Sequence, residues 1–340
     1  MNYYVQNHIH IFFIIEDFIY LGISGFSNQS KTFTHFTYPM LKSFIKKLLW
    51  PPHLWKAFTA KKRRKKVARS AEDPQLKLYD KILNTGFLHY GYFDDPKKSA
   101  GDISLNDIRH AQIRYAELIL DQISNIKDDI LDVGCGMGGL IGLLLEKNIP
   151  TTGVTPDRVQ VNYISEKYPQ ATLIHAKFQK MPVSEYEQFF STIVHSESLQ
   201  YMGLNKAIEK VLTLLKPGGR WIVVDYFRTD EAHEKSGHYW NDFVQKLEDN
   251  NLEIVYKQDI TANIRPTLDY IYMWGNEIGK PIFEFIVAKL ERKHPGKHYL
   301  LEETIAALDH KIEDNLDIVN PDIFTKDKNY ILVSIERKAG

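Results

Sequence analysis

Glu197 is the residue of this sequence best placed to move a proton. It lies in HSESLQYM, His195 to Met202, directly after the apolar run Phe189 to Val194, which reads as a strand. Open α/β sheets place their chemistry at the C-terminal ends of strands. A half-buried carboxylate there has a raised pKa, which suits a base working near neutrality. Its structural alternative is a cap on the following helix. His195 and Tyr201 flank Glu197 as further acid–base candidates, with strand packing and an ordinary helix face as their structural alternatives.

The second chemical feature is ILDVGCGMGGL, Ile130 to Leu140. Ile130, Leu131 and Val133 read as the end of a buried strand, and Leu140 to Lys147 as a helix. The glycines between them permit a tight turn that a ligand can approach closely. The dinucleotide fingerprint is G-x-G-x-x-G; the frame here, with Asp132 in front, is D-x-G-x-G-x-G. That frame resembles the first motif of class I S-adenosylmethionine (SAM) methyltransferases. The resemblance implies that Asp132, Gly134, Cys135, Gly136 and Gly138 cradle the amino-acid end of SAM. Cys135 is the only cysteine of the chain and reads as a small packing residue rather than a nucleophile. A single cysteine excludes an intrachain disulfide framework and fits a reducing, cytoplasmic setting.

Further stretches carry the same resemblance. LHYGYFDDP, Leu88 to Pro96, and Ala111-Gln112 in the predicted helix Leu105 to Ile119 look like the HYGY…AQ pattern of tocopherol, sterol and related lipid methyltransferases. This implies that Tyr90 or Tyr92 reaches the SAM carboxylate and puts Gln112 at the cofactor; the structural alternative is an aromatic loop packed on the core. After a second strand, Pro150 to Val154, GVTPDRVQ is similar to the GVTxSxxQ variant of the cyclopropane-fatty-acid, sterol and tocopherol group. By that resemblance Thr155 and Gln160 serve the SAM ribose, where most of the family uses an acid. Asp157 either turns inward to the ribose or caps the next helix. After a third strand, Thr172 to Ile174, Lys177 stands where the family has the acid that holds the adenine amino group. Lysine accepts no hydrogen bond, which leaves Phe178 as the contact and is the strongest argument against a standard SAM pocket. HSES resembles the stretch of sterol and prenyl C-methyltransferases whose Glu faces the acceptor and stabilises a cation or removes a proton; His195 is placed by it on the cofactor side as well. LKPGG, before the predicted strand Trp221 to Asp225, looks like a late motif of the same fold.

These residues need a scaffold. The chain has 340 residues, 44% of them hydrophobic, enough for a sizeable core, and its net charge is zero. A helix is predicted over Leu204 to Leu215 and another over His238 to Asn250, a sixth strand over Leu252 to Asp259 and a seventh over Tyr330 to Glu336. The expected class is α/β: a Rossmann-like seven-stranded methyltransferase sheet with flanking helices. Residues 1–70 form an N-terminal extension, 71–262 the SAM-binding core, 263–328 a helical cap insertion and 329–340 the last core strand. The insertion is rich in aromatics (Tyr270, Tyr272, Trp274, Phe283, Phe285). It either lines an apolar acceptor site or buries only its own faces.

The extension divides in two. His8 to Ile23 is apolar but carries Glu16 and Asp17 at its centre, which argues against a membrane span. Residues 42–69 contain no acid and many bases, KKRRKK among them, interleaved with Trp50, Trp55 and Phe58. That composition fits a peripheral membrane contact, a solvated basic helix or, least of all, a nucleic-acid footprint. No His/Cys spacing suggests a metal site. The expected activity is methyl transfer from SAM to a small, lipid-like or terpenoid acceptor, with carbon methylation favoured by Glu197. Alternatives are O- or N-methylation of an aromatic or amine metabolite, cyclopropanation of a membrane lipid, and an inactive SAM-fold binding module. Oligomeric state is left open.

Overall fold

The computed structural model describes residues 52, 55–56, 81–229 and 236–338. The apolar stretch His8 to Ile23 and, but for residues 52, 55 and 56, the basic arm 42–69 lie outside the described residues.

In chain order the elements are α1 (Leu105–Leu120), β1 (Ile130–Val133), α2 (Gly139–Glu146), β2 (Thr151–Thr155), α3 (Arg158–Lys167), β3 (Thr172–His175), β4 (Phe190–Ser196), α4 (Leu204–Leu214) and β5 (Leu215–Arg228). The short β6 (His238–Tyr239), α5 (Trp240–Asp249) and β7 (Leu252–Asp259) follow. Four helices, α6 (Thr261–Met273), α7 (Lys280–Lys293), α8 (Pro295–Val319) and α9 (Pro321–Asp327), precede β8 (Lys328–Arg337). The sheet order is β3-β2-β1-β4-β5-β8-β7, with β6 pairing β5. The first five strands of that path run parallel, and β8 is antiparallel to both β5 and β7. The predicted seven strands are the seven on this path; β6, only two residues long, was absorbed into the predicted helix over His238 to Asn250.

Strand order reverses between β1 and β4, so the crevice of this sheet opens at the C-terminal ends of those two strands. Hydrophobic alternation decides what lies on each side. Leu131, Val133, Ile193, Trp221 and Val223 point to one face with α4 and α5; Ile130, Val194, Ile222 and Val224 point to the other with α1, α2 and α6. The central strands are therefore buried on both faces, as parallel strands are. β5 is longer than its predicted apolar run because Leu215 pairs with Phe190 and Arg220 with Thr192, and the KPGG residues loop out between them. Gly218, at φ 71°, makes that loop possible.

The helical insertion divides its work. Its first helix, α6, docks on the segment ahead of α1: Asn263 Nδ2 donates to the Phe93 carbonyl at 2.8 Å, and Thr267 Oγ1 bonds both Gly91 N and Gly91 O at 3.2 Å. The α7–α8 hairpin instead builds a small core of its own from Phe283, Ile312 and Leu316, with Tyr272 packed against it. Phe285 and Trp274 are exposed. Of the five aromatics predicted to line an acceptor site, only Tyr270 packs against the cluster around Phe93 and Met137. The hairpin buries its own faces because its apolar residues recur at helical spacing toward its partner helix, not toward the sheet.

Candidate functional site

Gly134, Gly136 and Gly138 all adopt positive φ (76°, 53° and 78°) as the chain leaves β1 and turns into α2. Gly134 lies where the end of β4 passes: a Cβ built on it would come within 2.7 Å of the Ser198 Cβ. Ser198 Oγ is buried there without a hydrogen-bond partner. Asp132, at the end of β1, is buried, and burial pushes its carboxyl up to about 7. Cys135 is buried, and burial raises its thiol well above the usual range, which favours the packing role over a nucleophilic one.

At the end of β2, buried Thr155 donates from Oγ1 to Gln160 Oε1 at 2.6 Å. The two side chains predicted for the ribose therefore stand together. Asp157 does not join them. Its carboxylate accepts from Val159 N at 2.7 Å and caps α3, so the capping alternative is the one realised. Lys177 is exposed, and Phe178 is buried with its ring edge-on to His195.

The HYGY segment crosses over the glycine turn. The Gly86 carbonyl accepts from Gly139 N at 3.1 Å, and the Leu88 side chain sits over Gly136. Gly91 lies so close to α1 that a Cβ would come within 2.5 Å of the Ala111 Cβ, and Tyr92 N donates to the Ala111 carbonyl at 2.8 Å. Gln112 was predicted at the cofactor, but both ends of its amide are used to hold this loop. Nε2 donates to the His89 carbonyl at 2.9 Å, and Oε1 accepts from Thr85 Oγ1 at 2.8 Å. The paired HYGY and AQ stretches are thus two halves of one clamp. Of the two tyrosine candidates, Tyr90 lies inside, edge-on to Tyr330 and Phe324. Tyr92 lines an outer cleft of about 370 Å³ and packs against Arg114.

Glu197 occupies the end of β4 with φ at 48°, in the left-handed region that few non-glycine residues adopt. That backbone conformation has a consequence for the predicted trio. Period-two alternation would put residues 195 and 197 on one face of the sheet. The left-handed turn sends the Glu197 carboxylate to the opposite face instead, where Tyr90 N donates to its Oε1 at 3.0 Å and Tyr330 Oη donates to the same oxygen. Burial pushes the Glu197 carboxyl up to about 7, against the opposing pull of those two hydrogen bonds. His195 is left behind in the core. It is 0% exposed, and its Nδ1 accepts from Trp221 Nε1 at 2.9 Å. Burial lowers it to about 3, so it is neutral, and its Nε2 is buried without a hydrogen-bond partner. This placement corrects the acid–base role predicted for His195, whose ring lies on the opposite face from the Glu197 carboxylate; on the cofactor side it packs edge-on to Phe178. Tyr201, about half exposed at 49%, stays near Glu197, and burial of its hydroxyl with the nearby carboxylates raises its pKa.

Three members of the site were missed in the sequence. Tyr330 on β8 reads as one more residue of a β-branched strand, and Tyr115 as a core position of α1. Asp225, 1% exposed on β5, accepts from Gln200 N at 3.1 Å and from Tyr226 N at 2.9 Å. A buried acid within an apolar strand is a signal that could have found Asp225. Nothing local marks the two tyrosines.

The residues fit SAM at its amino-acid and ribose ends, with the positive-φ turn, the unpartnered Ser198 hydroxyl beside it and the Thr155–Gln160 pair. At the adenine end Lys177 offers no acceptor. Replacing Asp132 tests the first of these. A carboxyl whose folded pKa is raised binds its proton more tightly folded than unfolded, so its contribution to stability falls as pH climbs from its unfolded value of 3.8 to about 7. Asp132→Asn is therefore expected to raise the unfolding free energy at pH 8, by on the order of 4 kcal/mol at most, and the thermal midpoint with it, to leave both unchanged near pH 3, and to weaken SAM binding in calorimetry. An unchanged melt at pH 8 would show that Asp132 is not a buried charge.

Comparison with known proteins agrees with this geometry. Residues 130–219 match the family described as a methyltransferase domain. An O-methyltransferase of Aspergillus nomiae, rstn1, is 27% identical over 42% of this chain and 64% of its own length. The sterol 4-C-methyltransferase strm-1 of Caenorhabditis elegans is 31% identical over 32% of this chain and 34% of its own. The chain thus spans less than two thirds of either relative. Among solved structures, geranyl diphosphate C-methyltransferase from Streptomyces coelicolor, crystallised with S-adenosyl-L-homocysteine, superposes with a TM-score of 0.57 at 15% identity, over 79% of this chain and 95% of that one. The [4+2]-cyclase SpnF gives 0.54 at 19% identity, over 78% and 95%. Residues 130–219 are thus similar to a methyltransferase domain, and the chain has the fold of the class I S-adenosylmethionine-dependent methyltransferases.

Proposed function

We propose that this protein transfers the methyl group of SAM to a small apolar acceptor, and that Glu197 removes a proton from that acceptor or stabilises a cation formed on it. The observation that carries this reading is the state of one carboxylate. Both donors to Glu197, Tyr90 N and Tyr330 Oη, fall on Oε1, which leaves Oε2 for a proton from the acceptor. Its pKa near 7 makes it half charged at neutral pH, the condition under which a base is effective.

Bound in the turn, SAM supplies a methyl group that its sulfonium makes electrophilic, so the chain's own task is alignment and proton transfer. Asp132 and the turn after β1 would hold the amino-acid end, and Thr155 with Gln160 the ribose. The surroundings of Glu197 are aromatic, with Tyr90, Phe324 and Tyr330 edge to face. Such rings take an apolar acceptor and favour positive charge on it. O- or N-methylation is the second reading, favoured by the relative named as an O-methyltransferase; on it Glu197 deprotonates a hydroxyl or amine. With His195 in the core, Asp225 is a second buried carboxylate beside Glu197, but its oxygens accept from backbone amides, Gln200 N and Tyr226 N.

The test is incubation of the full chain with isotopically labelled methyl-SAM and a panel of terpenoid, sterol, phenolic and amine acceptors, with the methylated atom read by NMR. A new C-methyl bond on an apolar acceptor is the expected product. Labelled methyl only on oxygen or nitrogen would replace the first reading with the second, and SAM binding without transfer to any acceptor class would favour an inactive binding module. Peripheral membrane contact through residues 42–69 belongs to the same proposal and predicts that the full chain binds anionic vesicles; among the described residues no helix is long and apolar enough to cross a membrane.

A further inference from the structure

We propose that Tyr330, on the last strand, is the positioning residue of Glu197: with Tyr115 behind it, it fixes which way the carboxylate points and favours its charged form over the protonated one. The inference rests on the role proposed above for Glu197.

The geometry is a directed chain of hydroxyls. Tyr330 donates its one proton to Glu197 Oε1. The bond between Tyr115 Oη and Tyr330 Oη, 3.1 Å, must then be donated by Tyr115. Ser196 Oγ in turn donates to Tyr115 Oη at 3.3 Å. Each hydroxyl has a single proton to give, so the direction between the two tyrosines follows from the carboxylate backward, with the Val224 carbonyl, 3.5 Å from Tyr115 Oη, as a second and longer acceptor for the Tyr115 proton. Successive hydrogen bonds of this kind polarise one another. Tyr115 and Tyr330 are 1% and 0% exposed, so neither hydroxyl has water as an alternative partner. The His89 ring stacks on Tyr115 at 4.0 Å and closes its other side.

This arrangement answers a problem that the site poses for itself. Burial, and after it the Glu197 carboxylate, raises the proton affinity of buried Asp225 and of the Tyr115, Tyr201 and Tyr330 hydroxyls. No cation pairs with Glu197 among the described residues. His89 is neutral, held down to about 4 by burial, and adds no charge. Stabilisation of a Glu197 anion therefore comes only from the Tyr90 amide and the Tyr330 hydroxyl. The amide is fixed by the backbone; the hydroxyl is the part a side-chain substitution can remove. The same contact explains how a left-handed Glu197 is retained, since its side chain is anchored two strands away across β5.

The experiment is an infrared pH titration of the full chain in the carboxyl C=O region, run in an Asp225→Asn background because Asp225 is coupled to Glu197, and read as the difference from the same background carrying Glu197→Gln so that Asp132 cancels. It needs neither SAM nor an acceptor. In Tyr330→Phe, which keeps the ring, the Glu197 midpoint is expected to rise by about one pH unit. In Tyr115→Phe it should rise by less, because the bond to the carboxylate remains but is no longer polarised. Where an acceptor is turned over, the rising limb of kcat moves alkaline by the same amount while KM for SAM holds. An unmoved midpoint in a folded Tyr330→Phe overturns the proposal; should that variant not fold, an unmoved midpoint in Tyr115→Phe overturns it. A shifted midpoint in a protein that methylates nothing leaves this inference standing and removes the proposed function instead.

Discussion

Glu197→Gln is expected to lower methyl transfer by about 100- to 10,000-fold while leaving SAM affinity within a factor of about two. The amide keeps the size of the side chain and can still accept from Tyr330 and the Tyr90 amide. It cannot take a proton. The loss should therefore appear in kcat, and the parent's pH profile says why. A base with a pKa of about 7 is inactive when protonated, so the parent's kcat rises through neutrality and flattens above it. The variant should lose that limb along with the rate. The fold gains from the same change. Because the folded carboxyl has its pKa raised above the usual value of 4.5, its contribution to stability falls as pH climbs from there to about 7. The variant should melt higher than the parent at pH 8 and level with it below pH 4. Stability rising as activity disappears is the pattern of a strained, buried functional group. Full activity in Glu197→Gln would end the reading of Glu197 as a base.

Gly136→Asp is expected to reduce SAM affinity at least about 100-fold, measured by calorimetry against the parent chain. Two effects add. Gly136 sits at φ 53°, and a Cβ there meets the Leu88 side chain at 3.3 Å, so the loop that lies over the turn has to give. Aspartate also brings a negative charge to the place where the SAM carboxylate would lie, in surroundings that already hold buried Asp132. The left-handed conformation itself costs a non-glycine residue about 1–2 kcal/mol, and aspartate is among those that tolerate it best. The variant should therefore fold, with a modestly lower thermal midpoint. Unchanged SAM affinity in the folded variant would place the cofactor elsewhere than the turn after β1.

Much of this molecule follows from local sequence. The glycine turn between an apolar strand and an apolar helix is a short-range pattern, and β1, α2, β2, β3 and β7 begin and end within about two residues of where hydrophobicity places them. Thr155 and Gln160 are five residues apart across one strand-to-helix turn, so their meeting is local as well. So is the Asp157 cap, which depends only on the first turn of α3.

The tertiary structure decided what local pattern cannot. His195 and Glu197 are two residues apart, and alternation puts them together; one positive φ separates them, sending the first to the core beside Trp221 and the second to the opposite face. Gln112, read from sequence as a cofactor contact, uses both ends of its amide to hold the 85–93 loop, partners that only the tertiary structure brings to it. Tyr330 lies 133 residues from Glu197 in sequence, and Tyr115 lies 215 residues from Tyr330. A strand tyrosine and a helix tyrosine carry no local mark of function. They reach one carboxylate only because β8 inserts antiparallel beside β5 and α1 packs across that face. Sequence by itself determined the fold and the glycine turn after β1, since both rest on short-range hydrophobic period and backbone freedom. The neighbourhood of Glu197 was decided by strand order and one residue's backbone conformation, which set which distant hydroxyls gather around its carboxylate.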